Sequence, residues 1–88
     1  MQNENQNQTA PDVVTILWRR NQNGSRTIVE ATVIGSAHPC ENCLQPGDRF
    51  SAARTCLLNN GFQRVFQEMF GDFGVSVFVR TSTNMECQ

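Results

Sequence analysis

Hydrophobic and polar residues are distributed unevenly along this chain. Residues 1–11 are mostly Asn and Gln. They lack the apolar side chains that would offset the entropy of ordering, so they predict a disordered leader ahead of one small domain over 12–88. From Val13 to Arg20 the chain is β-branched and aromatic, the composition of a strand. Asn21-Gln22-Asn23-Gly24 follows, then a second β-branched run from Ser25 to Ile34. Asn-Gly between two such runs predicts a two-residue hairpin turn, because both central residues need positive φ.

That turn sets a register. With Asn23 and Gly24 central, Gln22 faces Ser25, Trp18 faces Val29, Ile16 faces Ala31 and Val14 faces Val33, and the last three pairs make an apolar face. The other face pairs Arg19 with Ile28, Leu17 with Glu30, Thr15 with Thr32 and Val13 with Ile34. A slip of one residue would exchange the faces, so the apolar set favours this pairing.

Residues 35–47 read as a loop. Beyond it, Leu58, Phe62, Val65, Phe66 and Met69 fall within about 100° of arc at helical periodicity. They predict one helix over 49–70, capped by Asp48 or Ser51 and ended by Gly71. Asn59-Asn60-Gly61 is costly inside a helix; the alternative is an extended 49–52 followed by a shorter helix. Val75, Val77 and Val79 then alternate with Ser76, Phe78 and Arg80 in a last strand. The valines are expected under the helix with Val14, Ile16, Trp18, Val29 and Val33.

The predicted class is therefore α+β, ordered ββαβ: a three-stranded sheet with one helix packed on one face. The third strand is expected beside the first, since the other placement needs a crossover. The uncovered sheet face would carry Val13, Leu17, Ile28, Ile34 and Phe78, a large apolar exposure. A symmetric dimer would bury it; the alternative cover is the leader, the cysteine loop or the C-terminal tail.

Composition sharpens this picture. A chain of 88 residues buries only about 60% of its unfolded surface. Domains of this size often need a disulfide, a metal or a partner subunit, and the four cysteines, Cys40, Cys43, Cys56 and Cys87, make a staple available. The formal net charge is −1, which argues against a strongly basic nucleic-acid binder. All seven basic residues are arginines. No apolar run approaches the roughly 20 residues of a membrane span. Met1-Gln2-Asn3-Glu4 does not begin a secretory signal, so the expected location is cytoplasmic, or secreted if a leader was removed before Met1.

Chemistry concentrates in one loop. Cys40-Glu41-Asn42-Cys43 is a C-x-x-C knuckle with His38 two residues ahead of it. Cys40, Cys43, Cys56 and either Cys87 or His38 would make a closed zinc site, but no second C-x-x-C pair is present. Disulfides, with three connectivities open for four cysteines, compete with zinc, as do unligated thiols. A redox role is disfavoured, because redox C-x-x-C pairs open a helix and Pro46-Gly47 follow here. The P-C-x-x-C string lacks the H-x-E that zinc deaminases require. His38 is the sole histidine, and no Cys–His pair for nucleophilic catalysis stands out. Residues 71–78 resemble an RNA-stacking strand only superficially.

Arg19, Arg20 and Arg26 cluster at the hairpin tip, where Arg is suited to a protein interface. The sequence thus predicts no catalytic residue and no obligate cofactor. It predicts a small non-enzymatic protein-binding module or regulator, homo-oligomeric and with no membrane or nucleic-acid partner. Leu17, Arg19, Arg20, Arg26, Ile28 and Phe78 are its candidate contact residues. The alternatives are a secreted, disulfide-stapled effector or toxin, and a zinc or thiol-redox protein built on Cys40 and Cys43.

Overall fold

A computed structural model describes residues 10–81. Nearly all of the predicted leader, the C-terminal tail and Cys87 lie outside the described residues. Strands β1 (Asp12–Arg20) and β2 (Arg26–Ile34) come first, then a single 3₁₀ turn over Glu41–Cys43. Helix α1 (Phe50–Asn59) follows, and strands β3 (Gln63–Phe70) and β4 (Phe73–Arg80) complete the fold. The sheet is antiparallel in the order β2-β1-β4-β3. The class is α+β, but the sheet has four strands, not three, and the order is ββαββ.

The predicted helix stops at Asn59-Asn60-Gly61 instead of running through it. Gly61 adopts φ 91°, and the Phe62 N–H reaches back to the Leu57 carbonyl at 3.0 Å. This is a Schellman ending, with Gly61 in the left-handed position and the buried Phe62 against the buried Leu57. The chain leaves the helix there and runs out as β3. Gly71 and Asp72 form the two-residue turn between Phe70 and Phe73, so Gly71 ends a strand, not a helix. The third predicted strand is β4, and it does lie beside β1.

The first hairpin keeps the expected register from Val13↔Ile34 to Leu17↔Glu30. A bulge at Val29 then shifts it by one, so Trp18 pairs with Ile28 and Arg20 with Arg26. The loop is accordingly five residues, closed by the Asn21 N–H to the Ser25 carbonyl at 2.7 Å. The bulge coincides with a tertiary contact. Ile28 exchanges main-chain bonds of 2.8 Å with Asp48 and Gly47, and Thr27 bridges Arg49, so the outer edge of β2 is tied to the segment that enters α1.

The core lies between α1 and one sheet face. Val14, Ile16 and Trp18 of β1, Ile28 of β2 and Phe78 of β4 meet Phe50, Ala53 and Leu57 of α1. Phe50 is the hub, its ring centroid 5.6 Å from that of Trp18 and 6.4 Å from that of Phe78. Trp18 also dictates which face of β4 turns inward. A Cβ at Gly74 would fall inside the indole ring, and the indole N–H donates to the buried Ser76 hydroxyl at 3.0 Å. Gly74, Ser76 and Phe78 therefore face the helix. Val75, Val77 and Val79, expected beneath it, point to the other side.

A polar clamp closes the end of the sheet away from the hairpin tip. The Arg80 guanidinium donates to Asp12 Oδ2 at 2.9 Å and to the carbonyls of His38, Asn60 and Ser36, and lies over the Phe62 ring. The other Asp12 oxygen accepts the Ser36 N–H at 2.9 Å. That backbone bond and the Arg80 charge hold the Asp12 carboxyl below the usual carboxylate range.

Candidate functional site

The cysteine loop is a structural staple. Cys40 is buried and bonded to Cys56 of α1, their Cα atoms 5.9 Å apart. The bond fastens residues 35–49 to the helix at a point where Asn60 also donates to the Cys56 carbonyl at 2.8 Å. Cys43 is half-buried and has no disulfide partner among the described residues. His38 stands in solvent with its side chain 75% exposed, and its Nδ1 is 3.1 Å from the Glu41 carboxylate. The Glu41 carboxyl is held below its ordinary range, first by its own backbone N–H and then by His38.

The five candidate ligands thus separate into different roles. Cys40 and Cys56 are joined to each other, so neither sulfur is a thiolate. His38 pairs with Glu41, and Cys87 lies outside the described residues. Among the described residues, no three His, Cys, Asp or Glu side chains converge as a metal ion would need.

The partner-contact candidates also divide. Leu17 and Arg19 lie on the sheet face away from α1. Arg20 and Arg26 lie on the helix side, and the Arg26 guanidinium stacks 4.8 Å from the Trp18 ring. Ile28 and Phe78 are buried and cannot meet a partner. The Val29 bulge turned Ile28 inward, and the Gly74–Trp18 fit did the same to Phe78.

The uncovered face is nevertheless more apolar than the sequence suggested. Val13 and Leu17 of β1 and Ile34 of β2 stay on it. In place of Ile28 and Phe78 it gains Val75, Val77 and Val79 of β4, with Phe73 at the end of that strand. The cross-strand partners of Val77 and Phe73 are Phe66 and Phe70 of β3. Phe66, Phe70 and Phe73 are 49, 52 and 39% exposed. At roughly 150–250 Å² per aromatic side chain, these three rings alone leave roughly 200–350 Å² open. That is already comparable with the largest apolar patch of many monomers, roughly 300–600 Å².

The aromatic half of this surface was missed because β3 was read as helix. The available signal was Gly71-Asp72 flanked by apolar residues, a two-residue hairpin loop. Among the described residues, no helix is long and apolar enough to cross a membrane. No protein-family profile, no curated protein and no solved structure matches this chain.

Proposed function

We propose that this chain is a small non-enzymatic binding module that works through the uncovered face of its sheet, and that it self-associates there. The observation that carries the reading is the set of Phe66, Phe70 and Phe73 with Val75 and Val77, interrupted by Glu68 opposite Val75, on a face to which α1 contributes nothing. Removing such a surface from water is the main favourable term in association, and a two-fold contact lets one patch serve both subunits. The flanking Arg19 supplies a residue type favoured in interfaces.

The Cys40–Cys56 bond supports placement in an oxidising compartment, where such bonds persist. Of the two locations the sequence left open, the secreted one agrees better with it. Among the described residues the His38 side chain bonds only to Glu41, which supports a binding role over nucleophilic chemistry.

Native mass spectrometry of protein purified without reductant or chelator tests this. The expected species is a dimer retaining the Cys40–Cys56 cross-link in its peptide map, and Val77→Arg should convert it to a folded monomer. A wild-type monomer at 100 μM protein, a concentration set by the experimenter at about a hundred times a micromolar Kd, would reject self-association.

A further inference from the structure

On the opposite side of the molecule, four of the seven arginines line one cavity of about 420 Å³. Arg26 comes from the start of β2, Arg49 and Arg54 from the entrance and second turn of α1, and Arg64 from β3. No Asp or Glu lines it. Among the described residues, none of the four forms a salt bridge. The chain as a whole carries a net charge of −1, so this concentration of positive charge runs against its average.

Two of the guanidiniums are set in place by the same core residue. Arg26 lies over the face of Trp18 at 4.8 Å and over Phe50 at 5.8 Å. The indole N–H of Trp18 donates to the Ser76 hydroxyl, which donates to Gln67 Oε1. Arg64 Nη1 donates to that same oxygen, each bond being 3.0 Å. Trp18 thus positions Arg26 with its ring face and Arg64 through a hydrogen-bonded relay. α1 begins at the cavity with no side-chain cap and no acidic residue in its first turn, which adds to the positive potential there. Groups of like charge held this way repel one another, and a bound anion removes that repulsion.

We propose that this groove binds a compact oligophosphate, a small ligand bearing two or more phosphoryl groups. The volume is that of a small-molecule site. Guanidinium forks match phosphoryl oxygens in bidentate fashion. The four forks come from three elements around the cavity, and a tetrahedral oxyanion offers oxygens in every direction, whereas a carboxylate offers two in one plane. A sulfate ester shares the geometry but carries less charge per group, so phosphoryl groups compensate four arginines better. The site lies on the helix side and is independent of the proposed dimer face.

Calorimetric titration of the full chain with sodium pyrophosphate at fixed ionic strength tests the proposal. One ligand per chain is expected. Arg49→Gln with Arg54→Gln should weaken binding by about tenfold or more, the scale of losing charge-assisted hydrogen bonds. Arg20→Gln, which removes an arginine that does not line the groove, should change it less than about twofold. If the first variant lacks the wild-type near-ultraviolet circular dichroism, Arg64→Gln replaces it with the same expectation. Three results would overturn the proposal: no heat at millimolar pyrophosphate, equal losses in the groove and control variants, or binding of sulfate, a tetra-aspartate peptide or a short single-stranded oligonucleotide as tightly as pyrophosphate.

Discussion

The two hairpins of this sheet are held in different ways. β1 and β2 have one face against α1, and the outer edge of β2 is tied to residues 47–49. In the second hairpin β4 shares that protection, with Gly74, Ser76 and Phe78 turned inward. β3 does not: all eight of its residues are exposed, and its ladder to β4 is its main attachment. The core therefore ends at β4. The apolar side chains of β3 contribute little to the isolated fold, and that contrast supports reading them as a contact surface.

The largest predicted effect falls on the closed side. Phe50→Ala empties the centre of the Trp18–Phe50–Phe78 cluster and should cost about 3–5 kcal/mol. A denaturant titration reads this directly, and a loss under about 1 kcal/mol would contradict Phe50 as the hub. Next comes the staple of the loop beside the first hairpin. Replacing Cys40 and Cys56 together by Ser opens a connection spanning 16 residues. On chain-entropy grounds this should cost about 3 kcal/mol. Reductant should lower the stability of the wild type and leave the double variant unchanged.

The same contrast governs what could be read from the sequence. The first hairpin was legible because its signals are local: a β-branched run, Asn23-Gly24 and a second run. The Val29 bulge was not, because Ile28 is displaced by main-chain bonds to Asp48 and Gly47, twenty residues away. β3 was misread because the bulge at Val65 interrupts its alternation, leaving Phe62, Val65, Phe66 and Met69 at spacings that imitate a helix. The inward face of β4 defied hydrophobicity, since a glycine and a serine were preferred over valines. The size and the N–H of Trp18, with Phe78 packed on Phe50 from the same face, account for that choice. The cysteines announced a staple, but four cysteines leave three pairings open, and spacing does not choose among them. The arginine groove was invisible for a related reason: Arg26, Arg49, Arg54 and Arg64 are brought together by topology alone.

A smaller effect is expected where the two hairpins are fastened to each other. Asp12 and Arg80 join the start of β1 to the end of β4. The folded-state pKa of Asp12 lies below its unfolded value near 3.9. Its contribution is therefore complete above the unfolded pKa and is lost as pH falls through the lower, folded one. Stability should hold from pH 7 to about 5 and decline below about 4. Asp12→Asn should cost about 1–2 kcal/mol at pH 7 and flatten part of that acid decline. An acid profile identical to the wild type would show that the clamp contributes nothing.

The smallest effect on the monomer should come from β3 itself. Phe70→Ser removes a ring that is half exposed and faces away from α1, so under dilute, monomeric conditions its cost should stay within about 0.5 kcal/mol. If the ring is a contact in the dimer, its loss weakens association by far more, because buried aromatic anchors commonly contribute 2 kcal/mol or more to an interface. The two measurements must be made on the same variant: chemical denaturation at low concentration, and sedimentation equilibrium across the dimerisation range. A ring that matters to neither would make β3 a passive extension of the sheet. A ring that matters mainly to folding would move the edge of the core outward past β4. Weakened association with unchanged folding is the outcome that the contrast between the two hairpins requires.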